Sequence, residues 1–345
     1  MKARNTATLS GVLALMWTVL AFGASESGQQ RAEDAGRELI GKPAPKLVLT
    51  TIDGATIDLA HLYGKQAVYL KFWATWCVPC RQQMPHFEHT YETAGPDLAV
   101  IAINTGFNDS LDAVRDYQRK LGITMPIVMD DGRAAAAFNL RVTPQHIVIG
   151  RDGRIQYVGH LADERLDSAL LAARTAPAAS SLAAHGADAP MIHHYQAGNL
   201  LPAKSPRTID GQAFALRDPE SRRPTLLVFL SPWCESYLET TRPTLSANCR
   251  RMREQVAALT DDSEVRWLGI ASGLWATKGD MRDYRKQYGV RIPLSLDESG
   301  VLFREFNISE VPAALVVDKT GHILRQIGPQ DLATPVALHA AIAGS

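Results

Sequence analysis

The stretch Phe72-Trp73-Ala74-Thr75-Trp76-Cys77-Val78-Pro79-Cys80 sets two thiols three positions apart directly after an apolar run. Residues 66–73 read as a buried strand, and the residues from Arg81 onward, with Met84 and Phe87, read as a helix. A strand that turns straight into a helix is an α/β element, and two cysteines at that turn have the layout of a dithiol/disulfide redox centre. Cys77 falls at the helix N-terminus, where unpaired backbone N–H groups and the helix dipole favour a thiolate over a thiol. Pro79 suits the first helical turn, where its missing N–H costs nothing. Cys77 is then the attacking sulfur and Cys80 the resolving one. Half of a zinc site would need a second Cys/His pair at ligand spacing, but the other cysteines, Cys234 and Cys249, lie far along the chain. Trp73 and Trp76, flanking the corner, argue against a purely structural bridge.

The motif Phe72-Trp73-Ala74-Thr75-Trp76-Cys77-x-x-Cys80-Arg81 resembles the active site of the thioredoxin superfamily in its TlpA/ResA-like branch. Upstream, residues 41–45 (Gly-Lys-Pro-Ala-Pro), Asp53-Gly54 and Leu59 resemble the opening hairpin of that branch. Downstream, Val142-Thr143-Pro144, the run 147–149 and Asp152-Gly153 resemble its cis-proline strand and hairpin turn. The similarity spans residues 38–173. It implies a cis Thr143–Pro144 bond lying against the cysteine pair, a backbone edge able to hold an extended substrate strand, and no cofactor.

Two residues depart from the family pattern. Lys71 stands where thioredoxins carry a buried acid, on the strand face shared with Tyr69 and Trp73. Either it points beneath the cysteines, where an ammonium favours a nearby thiolate, or it snorkels along its aliphatic stem to solvent. Gln83 stands where cytochrome-maturation members often carry Glu, which puts that substrate assignment in doubt.

Lys2 and Arg4 precede an apolar stretch from Leu9 to Phe22, and Ala21-Phe22-Gly23 offers small residues for cleavage. This predicts a signal peptide over residues 1–23 and export to the periplasm, with an uncleaved anchor as the alternative. A chain of 345 residues, 46% hydrophobic, has material for two cores. Its formal net charge of zero points to neither nucleic acid nor an anionic membrane surface. Residues 174–199 turn rich in Ala, Ser and Pro and read as a linker.

Beyond the linker the pattern recurs. Asp53-Gly54 returns as Asp210-Gly211, and Phe72, Trp76 and Cys77 return as Phe229, Trp233 and Cys234, all at offset 157. Val142-Thr143-Pro144 returns as Glu310-Val311-Pro312, and the turn 150–153 as 318–321, at offset 168. The fold class is therefore α/β, two tandem thioredoxin-like domains, each a central mixed sheet flanked by helices. The second covers residues 200–345.

The second copy puts Tyr237 where the second cysteine would be. In an unbroken helix Cys249 would lie about 22 Å from Cys234, too far for a disulfide, and a kink at Pro243 would not fold it back. Three readings stand: a Cys234–Cys249 bridge after local rearrangement, a lone reactive Cys234, or a degenerate domain that binds or positions a partner. The sequence favours the third. His146, two after Pro144, suggests a copper site with the cysteine pair but reads better as a satisfied strand histidine. Met191, His193 and His194 read as part of a solvated linker. Helical stripes at residues 111–121 and 280–288 read as core.

These observations predict a periplasmic thiol-disulfide oxidoreductase of the protein-disulfide reductase type, acting through Cys77 and Cys80 with Trp76, Pro79, Thr143, Pro144 and Lys71 in support. Its partners would be protein disulfides and, as the family resemblance implies, a membrane thiol reductase as electron donor. The alternatives are a disulfide oxidase, a copper or apo-cytochrome chaperone, and a thiol peroxidase using Cys234.

Overall fold

A computed structural model describes residues 27–177, 192–260 and 264–331. The predicted leader, most of the predicted linker and Met191 lie outside the described residues.

The first module runs α1 (Gly28–Arg37), β1 (Val48–Thr50), β2 (Thr56–Asp58), α2 (Leu59–Leu62), β3 (Ala67–Trp73), α3 (Val78–Glu92), β4 (Leu98–Asn104), α4 (Leu111–Leu121), β5 (Ile127–Met129), α5 (Arg133–Ala137), β6 (Gln145–Ile149), β7 (Ile155–Gly159) and α6 (Glu164–Thr175). Its five-stranded sheet has the order β5-β4-β3-β6-β7. β3, β4 and β5 are mutually parallel, while β6 runs antiparallel to both β3 and β7. β3 is central and buried along its whole length, as a strand covered on both faces must be. Asp53 and Gly54 turn the β1–β2 hairpin, with Gly54 at φ 85°, a conformation that a side chain rarely adopts.

The second module runs β8 (Thr225–Leu230), α7 (Cys234–Tyr237), α8 (Pro243–Leu259), β9 (Arg266–Ser272), α9 (Lys278–Tyr288), β10 (Leu294–Asp297), α10 (Val301–Glu305), β11 (Ala313–Val317) and β12 (Ile323–Ile327). Its sheet order, β10-β9-β8-β11-β12, and its strand directions repeat those of the first. Even the register shift recurs, between Val148 and Ile149 and between Val316 and Val317.

Three expectations are corrected. A first module starting at residue 38 omits α1, a Ser27-capped amphipathic helix whose Ala32, Ala35 and Gly36 are buried, with Gly36 close against Val158 of β7. The end of the linker is structured: the Tyr195 N–H donates to Glu305 O and the Gly198 N–H to Ile323 O. His194 Nδ1 lies 3.1 Å from Arg304 O and the His193 ring packs on Tyr195, so neither is part of a freely solvated tether.

The third concerns Cys234 and Cys249, which are bonded with their Cα atoms 6.2 Å apart. The helix is not continuous. α7 is a single turn, and Pro243 starts a new helix after Arg242 leaves helical geometry at φ −144°, ψ 64°. α3 has 15 residues, whereas α7, the turn and α8 extend from Cys234 to Leu259. The change in offset from 157 to 168 falls in this rebuilt helix, and it lets the chain double back to pair the cysteines.

Candidate active site

Cys77 is the N-cap of α3, in extended geometry at φ −76°, ψ 109°, and its sulfur accepts the Cys80 N–H at 3.2 Å. Cys77 and Cys80 form a disulfide with their Cα atoms 5.2 Å apart, and both residues are 0% exposed. Pro79 lies in the first turn, where no intrahelical acceptor is lost. The corner is braced from the loop after β4. The Thr75 N–H donates to Asp109 at 2.7 Å, Asn104 donates to the same carboxylate, and the Trp76 indole donates to Phe107 O. Asp109 has no signal in the motif, and only the fold reveals its role.

The Thr143–Pro144 bond is cis. Phe72 pairs with Gln145, so the β3–β6 register brings Pro144 to the end of β3 where the redox corner begins. Pro144 O lies 2.7 Å from His160 Nδ1, which donates to it. Burial lowers the pKa of His160.

Lys71 does not reach solvent. It is fully buried, its Nζ has no hydrogen-bond partner, and it lies 5.1 Å from the centre of the Phe87 ring. Phe87, Met84 and Cys80 form the buried stripe of α3, so the amine sits under the helix that carries the dithiol. Removal from water pushes its pKa down to about 7. Across the register, Lys71 pairs with His146, also fully buried. His146 Nε2 lies 2.8 Å from Gln83 Oε1 and its Nδ1 lies 2.8 Å from the Tyr69 hydroxyl. Burial first, and then the Lys71 charge, hold His146 well below the usual histidine range. This arrangement makes it a neutral imidazole protonated on Nε2, accepting the Tyr69 O–H on Nδ1. Gln83 Nε2 in turn donates to His160 O. Gln83 thus joins a buried polar chain from Tyr69 through His146 to the His160 backbone. Both His146 nitrogens are engaged in it.

The second module packs onto this corner. Trp233 stacks on Trp76 with ring centres 5.1 Å apart and planes at 27°. The Tyr237 hydroxyl accepts the Val78 N–H at 3.0 Å. Arg242 reaches Asp109 at 3.0 Å and also the Thr75 hydroxyl. Trp275 donates its backbone N–H to Arg141 O and its indole N–H to Thr143 Oγ1. It does so at φ 60°, a conformation that costs a bulky residue about 1–2 kcal/mol. These contacts hold it there.

The AhpC/TSA family pattern matches residues 40–158. The ResA thiol-disulfide oxidoreductase of Bacillus thuringiensis (strain Al Hakam) is 31% identical over 141 residues, 40% of this chain and 80% of that protein. ResA of Bacillus subtilis (strain 168) is 33% identical over 125 residues, 35% of this chain and 68% of the relative. The chain belongs to the ResA-like thiol-disulfide oxidoreductases. The thioredoxin-like protein YneN of Bacillus subtilis is 35% identical over 133 residues, covering 38% of this chain and 78% of YneN. Among solved structures, a thioredoxin-family thiol:disulfide interchange protein from Chlorobium tepidum TLS aligns with 39% of this chain and 96% of its own, at 28% identity and a TM-score of 0.35. The stretch matched by the family pattern contains Cys77, Cys80 and cis-Pro144 and stops before Cys234. This ResA-like chain is a thiol-disulfide oxidoreductase whose second redox-position cysteine, Cys234, is paired with Cys249 rather than free. A peroxidase reading built on a lone Cys234 loses its thiol. Among the described residues no helix is long and apolar enough to cross a membrane.

Proposed function

We propose that the chain is exported to the periplasm by residues 1–23 and there reduces disulfides of exported proteins through Cys77 and Cys80. Residues 38–173, with α1 added, form the redox module, residues 174–199 connect, and residues 200–345 form a degenerate module without a Cys-x-x-Cys. The observation that carries the reading is the Cys77–Cys80 disulfide at the N-terminus of α3, where the helix end favours a thiolate. In the reduced state the Cys77 thiolate attacks a substrate disulfide, forming a mixed disulfide and releasing one substrate thiolate. Cys80 then attacks Cys77 Sγ, releases the second substrate thiolate and closes Cys77–Cys80. A dithiol donor, in this reading a membrane thiol reductase, returns the pair to the reduced state with two electrons. Trp76 and Pro79 shape the corner, and Thr143 and Pro144 supply the edge for a substrate strand.

Lys71 acts as a positioning residue. Protonated, it favours a thiolate on the α3 stripe; neutral, it can take up the proton that Cys80 loses as it attacks. In Lys71→Met the Cys77–Cys80 potential and the Cys77 pKa should both shift, and unchanged values would remove Lys71 from the mechanism.

The deciding experiment equilibrates the full-length protein with redox buffers and scores Cys77 and Cys80 by alkylation and mass mapping. A potential near or below about −270 mV supports a reductant. One near about −120 mV makes it an oxidase of exported proteins.

A further inference from the structure

The face of the redox module that a substrate disulfide must reach is already occupied, and its occupant is the corresponding face of the second module. The interface is reciprocal. The Trp275 N–H, in the loop after β9, donates at 2.9 Å to Arg141 O, three residues before Pro144. The Asn108 N–H, in the loop after β4, donates at 2.8 Å to Ser309 O, three residues before Pro312. One residue before each proline the pattern repeats: Trp275 Nε1 donates to Thr143 Oγ1, and the Val311 N–H donates to Asn108 Oδ1. At the centre the equivalent tryptophans, Trp76 and Trp233, stack on each other. This is the same-patch-to-same-patch geometry of a two-fold dimer, built within one chain. Beneath it Cys77 and Cys80 are 0% exposed.

We propose that the second module selects the redox partner of the Cys77–Cys80 site. The partner it admits is a protein with an extended segment that can donate a backbone N–H to Arg141 O and lay an aromatic side chain beside its cysteine onto Trp76. Such a segment replaces what Trp275 and Trp233 now supply, which offsets part of the cost of displacing the second module. A small thiol or disulfide offers neither contact and reacts only in the fraction of molecules already open. Trp233, Tyr237 and Trp275 are therefore specificity-determining residues for the exchange, and the module protects the couple from low-molecular-weight thiols. The inference rests on the oxidoreductase reading.

The test uses the oxidised full-length protein and dithiothreitol. One dithiothreitol thiolate attacks Cys77 Sγ and its second thiol closes the six-membered disulfide, leaving Cys77 and Cys80 as thiols. Quenched alkylation with mass mapping follows this pair separately from Cys234–Cys249. Trp233→Ala, which removes the central stack, is expected to be reduced about ten-fold faster than wild type. Tyr237→Phe and Trp275→Phe should accelerate it less, and Trp233→Phe should return towards the wild-type rate, which separates selection from a folding defect. Two short disulfide-linked peptides then probe the partner side, one with tryptophan beside its cysteine and one with glycine. The reduced wild-type protein should prefer the tryptophan peptide. Equal dithiothreitol rates in wild type and Trp233→Ala, or equal rates with the two peptides, would overturn the proposal. A Cys77–Cys80 pair that fails to cycle in wild type and every variant would instead overturn the functional reading.

Discussion

The two strand-to-helix corners share a backbone and differ in what lies beneath it. Under the first are Lys71, His146 and Tyr69, all fully buried, with Gln83 closing a hydrogen-bonded chain. At the matching places in the second stand Val228, Ala314 and Leu226, also buried. One corner carries a buried amine and a neutral imidazole below a dithiol; the other has apolar side chains at those places, with the Glu235–Arg253 ion pair lining the same cavity as Val228 below a single turn of helix. The disulfides follow the same division. Cys77–Cys80 closes a short ring at a helix start, whereas Cys234–Cys249 ties two helices of a broken pair together across fifteen positions. The sheet tolerates either arrangement because its stability comes from β3 or β8 packed on both faces, and the chemistry depends on a few substitutions at its end.

The sharpest break between the corners should appear in turnover. Cys77→Ser is expected to lower insulin-disulfide reduction to the uncatalysed background. Cys234→Ser should not lower it, since the exchange runs through the first pair. Loss of activity in Cys234→Ser would mean that both disulfides take part.

Next is a transplant. Val228→Lys puts an amine into a buried strand position of the second module that now holds a valine, beside the already paired Glu235 and Arg253, and should destabilise the protein by about 3–5 kcal/mol in urea denaturation at pH 6. A much smaller loss would show that the two corners are equally permissive. The paired Cys234→Ala and Cys249→Ala change, which frees a loop of fifteen residues, should cost about 3 kcal/mol. A loss near zero in the same measurement would assign that disulfide a role other than bracing α7 against α8.

The last effect concerns Lys71 itself. Its pKa is about 7 in the folded chain and near 10.5 when solvated, so the unfolded state binds the additional proton between those values. The contribution of this group to stability is therefore most favourable above about 10.5, falls as the pH drops to about 7, and is flat below that. Lys71→Met should stabilise the protein at pH 6, and the gain should vanish towards pH 10.5. A gain independent of pH would mean that Lys71 is not buried as an amine in solution.

Much of the redox corner was legible because its signals are local. Cys77, Cys80 and Pro79 sit within one helical turn, and helix-end electrostatics act over that distance. The tandem sheets were legible because a repeat of Phe, Trp, Cys and Pro at constant spacing carries its own register. The orientation of Lys71 was not, since alternation names a strand face but not what covers it. Asp109, His160 and Arg242 were hidden for the same reason: each acts through a partner between 16 and 133 positions away. The Cys234–Cys249 bond was misjudged because a periodic helix pattern does not reveal that Pro243 begins a new helix.

What this sequence determined by itself was the pair of α/β modules, the dithiol in the first and its absence from the corner of the second, all matters of spacing and alternation along the chain. Tertiary structure alone decided that the second module's face lies on the first, that Trp233 stacks on Trp76, and that Cys77 is buried. Short-range patterning sets which residues share a face. Which face meets which depends on complementary surfaces whose parts come from opposite ends of the chain, and no local signal encodes that meeting.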